Sequence, residues 1–157
     1  MNPTISFEFR VSDLLIQSNV ILEAFGNSRT NRNDNSSRFG KYIDIQFDFK
    51  SDPIGGEMQH YLLEKSRVIK QQIGERNFHC FYQLIFNNGE EFGLNLSATD
   101  YNYINQGRCC EVEKIDDKLN YVQVQEAFDV LAFSKDHTLT VWKILAAILH
   151  LVRHYTS

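Results

Sequence analysis

Asn33-Asp34-Asn35-Ser36-Ser37-Arg38-Phe39-Gly40-Lys41 is a polar stretch between two segments with clear apolar patterning. Adjacent hydroxyls at Ser36 and Ser37 can ligate a hard cation such as Mg²⁺ or orient a water. Asn33 and Asn35 offer amide donors for phosphate oxygens. Arg38 offers a planar fork for a carboxylate or phosphate. Gly40 permits a tight turn just ahead of a strand. The same residue types also make an ordinary solvated loop, and on their own they leave both readings open.

Outward from this loop, the patterning is that of a mixed α/β chain. Asn19 is predicted to cap a short helix whose apolar face is Ile21, Leu22 and Phe25, with Gly26-Asn27 as its stop. Beyond the loop, Ile43, Ile45, Phe47 and Phe49 alternate with polar residues and predict a strand. Asp52-Pro-Ile-Gly-Gly56 supplies turn residues, and His60 to Glu64 is the expected return strand. Phe78, Phe81, Tyr82 and Ile85 fit i, i+3, i+4, i+7 and predict a helix with an aromatic core stripe, ended by Asn87-Asn-Gly89. Residues 97–120 are turn-rich, with Tyr101 and Tyr103 packing and Asp116-Asp117 capping. A helix over about 122–132 presents Val124, Phe128 and Leu131. Ser134 caps a last helix with Leu139, Trp142, Leu145 and Leu149 on one side, and Ile144, Ile148 and Leu151 extend its apolar surface. Phe7, Phe9 and Val11 alternate as in a short strand.

The chain has 157 residues, 43% apolar and 13% aromatic, which suits a packed core rather than a disordered segment. A net charge of −4 argues against nucleic-acid binding through a basic footprint. Cys80, Cys109 and Cys110 have no C-x-x-C spacing and read as free thiols of a reducing compartment. Glu8, Arg10 and Asp13 interrupt any secretory leader, and no apolar run is long enough for a transmembrane segment, so a cytoplasmic location is expected. The acidic pair Asp116-Asp117 and the pair His150/His154 are not read as metal sites. In the second, Leu151 stands where a zinc protease would place Glu.

The loop resembles switch I of the myosin motor domain, whose pattern is N-x-N-S-S-R-F-G-K. Leu22-Glu-Ala-Phe-Gly-Asn27, Tyr61-Leu-Leu-Glu-Lys-Ser-Arg-Val68 and Gly74-Glu-Arg-Asn-Phe-His79 are similar to family text in the same order. So are Tyr103-Ile-Asn-Gln-Gly107, Ile115-Asp-Asp117 and Trp142-Lys-Ile-Leu-Ala-Ala-Ile-Leu-His-Leu151. Kinesins share Ser-Ser-Arg but follow it with Ser-His. Thr30-Asn-Arg-Asn33, Tyr42-Ile-Asp-Ile45 and Asp52-Pro-Ile-Gly-Gly56 look most like class I, an unconventional, single-headed group.

The resemblance implies a fragment of a P-loop NTPase-like motor domain over 14–151: switch I, transducer strands and following helices, between unrelated tails at 1–13 and 152–157. It also implies ATP with Mg²⁺ as cofactors and actin filaments as partner, with calmodulin-like light chains only in a longer protein and a place at the actin cytoskeleton. By the same resemblance Asn33, Asn35 and Ser36 bind nucleotide, and Ser36 orients the lytic water or γ-phosphate. Ser37 ligates Mg²⁺, and Arg38 pairs with a switch II glutamate as the site closes. The chain contains no G-x-x-x-x-G-K-[ST] phosphate loop and no switch II Asp-x-x-Gly-x-Glu, so a truncated product or incomplete gene model without ATPase activity is expected. A non-enzymatic interaction protein is the alternative.

Overall fold

The computed structural model describes residues 11–153. The expected strand at Phe7 and Phe9, and His154, lie outside them. Val11 is not in a strand: it opens helix α1 (Val11–Gly26). Asn19 therefore sits mid-helix instead of capping. Its amide donates to Glu23 Oε1 one turn on at 2.5 Å, and its carbonyl oxygen accepts from Lys41 Nζ. These two bonds satisfy a side chain that would otherwise favour a helix end. Ala24 is buried, and Val20, Ile21 and Phe25 pack beside it. At Gly26 the helix stops against the Phe39 ring, which any Cβ there would overlap.

Strands β1 (Asn27–Ser28) and β2 (Ser36–Ser37) pair antiparallel, Asn27 with Ser37 and Ser28 with Ser36. Strands β3 (Gly40–Phe47) and β4 (Pro53–Tyr61) form an antiparallel hairpin running from the Gly40–Tyr61 pair to Phe47–Pro53. Gly40 itself is an ordinary strand residue with room for a Cβ, so it is no obligatory turn glycine. The turn also lies earlier than expected. Asp48 Oδ1 accepts from the backbone of Lys50 (2.8 Å) and Asp52 (2.9 Å), and Ser51 takes the left-handed conformation. Pro53 opens β4, a position suited to a residue without an N–H. Gly56 lies under the Leu15 side chain of α1. Leu62 to Glu64 have left the strand, and Leu62 has φ +48°.

Helix α2 (Lys65–Ile69) leads by a loop to α3 (His79–Asn88). The expected aromatic stripe is buried, but so are His79, Cys80, Gln83 and Leu84. The first two turns of α3 are thus enclosed on all sides. Tyr82 donates to the Ile104 carbonyl at 2.7 Å and accepts from Asn77 N at 2.9 Å, so its hydroxyl is satisfied in the core. Short turns at Gly89–Phe92 and Ala98–Asp100 and helix α4 (Asn102–Asn105) fill the turn-rich region. Tyr101 is buried there, and Tyr103 packs edge-on to Phe81.

Helix α5 (Asp117–Val130) starts earlier than expected because Asp116 caps it, accepting from Leu119 N at 2.9 Å. Asp117 is not a second cap. It is buried and takes two bonds, 2.8 and 3.0 Å, from Arg76. The fully enclosed Arg76 guanidinium also lies 3.6 Å over the Tyr82 ring. Ser134 caps α6 (Lys135–Arg153), accepting from His137 N at 3.2 Å. Trp142 packs against Phe25, Tyr121 and Phe128. Leu145 and Leu149 are buried with it, whereas Ile144 and Leu151 face out, so α6 is covered on one side only.

Candidate functional site

Residues 29–41 are held by backbone bonds at both ends, and at the entry Arg76 N donates to Arg29 O at 3.0 Å. Arg38 N donates to Gly26 O at 2.9 Å, and Glu64 N donates to Arg38 O at 2.8 Å. The loop exit is thus clamped between the end of α1 and the chain leaving the hairpin. Inside the loop, Thr30 N donates to Asn33 O, and Arg29 pairs with Asp34 at 3.1 Å. Asn31 reaches across to the Ile73 carbonyl, which ties the loop to the segment before α3.

The five candidate residues come together on this frame but do different things. Asn33 is exposed, and its side-chain oxygen Oδ1 accepts from Asn35 N at 2.9 Å, closing a turn. The Asn35 side chain works inward: its amide donates to Glu23 Oε2 at 2.9 Å, and its oxygen meets Asn27 Nδ2 at 3.0 Å and His79 Nε2 at 3.2 Å. Ser36 Oγ accepts from the Arg38 guanidinium at 3.0 Å. Ser37 is exposed and gives its proton to the Phe39 carbonyl at 2.7 Å, leaving the oxygen lone pairs for another partner. That donor set suits a hard cation.

Arg38 already has a carboxylate in this chain, which sequence reasoning missed. Its Nε donates to Glu64 Oε2 at 2.6 Å, and the same oxygen takes Arg67 Nε at 2.7 Å. Burial pushes the Glu64 carboxyl upward, but hydrogen bonds and charge from Arg38 and Arg67 outweigh it and hold the group below the usual carboxylate range. Arg67 continues inward to Glu75 at 2.9 Å and to the Arg76 carbonyl at 2.9 Å. A polar spine therefore runs from Arg38 toward Arg76 and Asp117. Glu64 lies in the stretch of family text from Tyr61 to Val68, but its pattern reads as strand end, and nothing local points it at a residue 26 positions away.

Comparison with known proteins identifies the family. The family model for the myosin head, the motor domain, matches residues 4–154, and the chain belongs to that family. Its likeness within the family is to class I. It is 53% identical over 146 residues to unconventional myosin ID of Drosophila melanogaster and 55% identical over 146 residues to unconventional myosin-Id of Homo sapiens. It is 51% identical over 145 residues to unconventional myosin-Ic of Rattus norvegicus. Each comparison covers 90% of this chain and 14% of the relative, so the chain spans about a seventh of the length of these proteins. Among the described residues, no helix is long and apolar enough to cross a membrane.

Proposed function

We propose that the chain supplies the switch I region of an actin-based motor ATPase with a P-loop NTPase-like core. What carries this reading is the loop itself: an outward Ser37 oxygen, a Ser36 hydroxyl oriented by Arg38, and Arg38 held on a carboxylate within a clamped backbone. ATP bound with Mg²⁺ supplies the phosphoryl group whose transfer to water drives such motors. Toward it, Asn33 donates its amide to phosphate, Ser36 orients the γ-phosphate or lytic water, and Ser37 ligates the metal. Asn35 positions the loop through Glu23 and His79. Arg38 exchanges or shares Glu64 when a switch II carboxylate approaches. Actin filaments are the partner, calmodulin-like light chains belong to the longer protein, nucleic acid has no part, and the place of action is the cytoplasmic actin cytoskeleton.

A switch loop without a phosphate cradle does not turn over ATP. The 157-residue chain should release no phosphate, with or without actin, and should bind Mg-ATP more weakly than micromolar. The positive test grafts residues 14–151 into human unconventional myosin-Id in place of the matching segment. Actin-activated hydrolysis should survive the graft and fall roughly 100- to 1,000-fold with Arg38→Ala, while nucleotide binding changes little. A folded, actin-binding chimera that hydrolyses no ATP would overturn the reading.

A further inference from the structure

Behind the loop, a cleft of about 410 Å³ opens between α1, α3 and the start of α5. Its size is that of a small-molecule site. Val20, Ala24, Ile115 and Val124 give it apolar walls, and Glu23, Asp34, Lys114 and Asp116 are its charged lining. Asn35, His79 and Gln83 also line it.

The bonding of Asn35 fixes the state of His79. A carboxylate only accepts, so the Asn35 atom bonded to Glu23 is the amide nitrogen, and its oxygen faces His79 Nε2. That oxygen also only accepts, so Nε2 carries the imidazole proton. Burial, helped by the charge of Arg76, pushes the His79 pKa down to about 4, so the ring is neutral near pH 7 and Nδ1 is a bare lone pair. Nδ1 is buried and has no partner, and His79 is 6% exposed. Gln83, one turn along α3 and 3% exposed, has the same defect at Oε1. Buried polar atoms are rarely left unpaired, and here two acceptors stand on the same face of one helix. Both require a donor.

We propose that this cleft binds a small organic cation with planar N–H donors on an apolar body, an amidinium or guanidinium compound. Two N–H groups spread in a plane match two acceptors a helical turn apart, and this cation is more weakly hydrated than an ammonium. Asp34 is paired with Arg29, but Glu23 and Asp116 still outnumber Lys114 and favour positive charge, and the apolar walls take the body. The site does not depend on the nucleotide role of the loop.

The test is titration of the 157-residue chain, labelled with ¹⁵N in histidine, with benzamidine. Binding should occur with Kd on the order of 0.1–1 mM, and the His79 Nδ1 resonance should move toward that of a hydrogen-bonded acceptor. Neutral benzamide and anionic benzoate should bind about tenfold more weakly. Gln83→Leu removes an unpaired buried acceptor, so the fold should hold or gain stability while benzamidine affinity falls about tenfold. If that variant does not fold, Glu23→Gln should weaken benzamidine several-fold and leave benzamide unchanged. An unmoved Nδ1 at saturation, equal affinity for benzamide, or no loss in either folded variant would overturn the proposal and leave a cleft that holds only water.

Discussion

The hairpin β3–β4 and helix α3 both carry large apolar side chains, yet only α3 buries most of them. Phe81, Tyr82, Leu84 and Ile85 of α3 are enclosed with Trp142 and Leu149. Tyr42, Ile45, Phe47 and Ile54 of the hairpin stand in solvent, Phe47 at 58% exposure. A period-2 pattern therefore marks a surface that asks for cover, while the i, i+3, i+4 pattern of α3 marks one that this chain covers itself. An isolated two-stranded ribbon is marginal in water and offers unpaired edges. Stability should therefore reside in the helices, and the hairpin should contribute little to it.

The largest test of that division is Asp117→Ala, which leaves the enclosed Arg76 guanidinium without its counter-charge. A loss of about 3–5 kcal/mol is expected in urea unfolding. A loss no greater than that of a surface substitution would remove the helical body from its place as the stable half.

Acid should act next, and on the same half. The unfolded chain protonates His79 near pH 6.5, whereas the buried ring resists until about pH 4. In that window the unfolded state binds more protons, so stability rises with pH. Acidification from 6.5 to 4 should therefore cost about 3 kcal/mol. Glu64 acts in the same direction at lower pH, because its depressed carboxyl contributes stability that is lost as pH falls through its folded value. Asp117 opposes both: burial lifts its carboxyl despite the pull of Arg76, so acid there favours the fold. His79→Phe should flatten the pH 4–6.5 limb of the profile. A flat profile in the unsubstituted chain would refute the histidine account.

The smallest effect belongs to the hairpin. Phe47→Ser should change unfolding free energy by less than about 0.5 kcal/mol, as expected of an exposed site. It should also reduce self-association at high concentration, since it breaks an apolar edge. A destabilisation like that of the core would mean the ribbon packs against something within the chain.

The same contrast governs what could be read in advance. Helix α3 was legible because its aromatic spacing is a local signal, and Asp116 and Ser134 because caps act within three residues. The hairpin was legible in its first strand but not in its turn, because Asp48 organises the reversal with its own side chain and the Asp52–Gly56 glycines serve β4 and Leu15 instead. Asn19 misled because Glu23 and Lys41 satisfy a capping side chain inside a helix. In the candidate site, the loop residues were visible as a motif. Glu23, Glu64 and His79 were not, since each meets the loop from 12 to 44 positions away.

Those separations also set an order in time. Several of the bonds that shape residues 29–38 come from Ile73, Gly74, Glu75 and His79, all more than 40 positions on. Closing such wide loops is slow compared with winding α3, α5 or α6. We expect the loop at 29–41 to be among the last parts of the chain to reach its final shape, during refolding and as the chain leaves the ribosome. Pulsed hydrogen exchange reads this directly: amides of α3 and α5 should become protected first, and those of Asn31 and Arg38, bonded to Glu75 and Gly26, afterwards. Simultaneous protection of both sets would show that loop and helices assemble in one step.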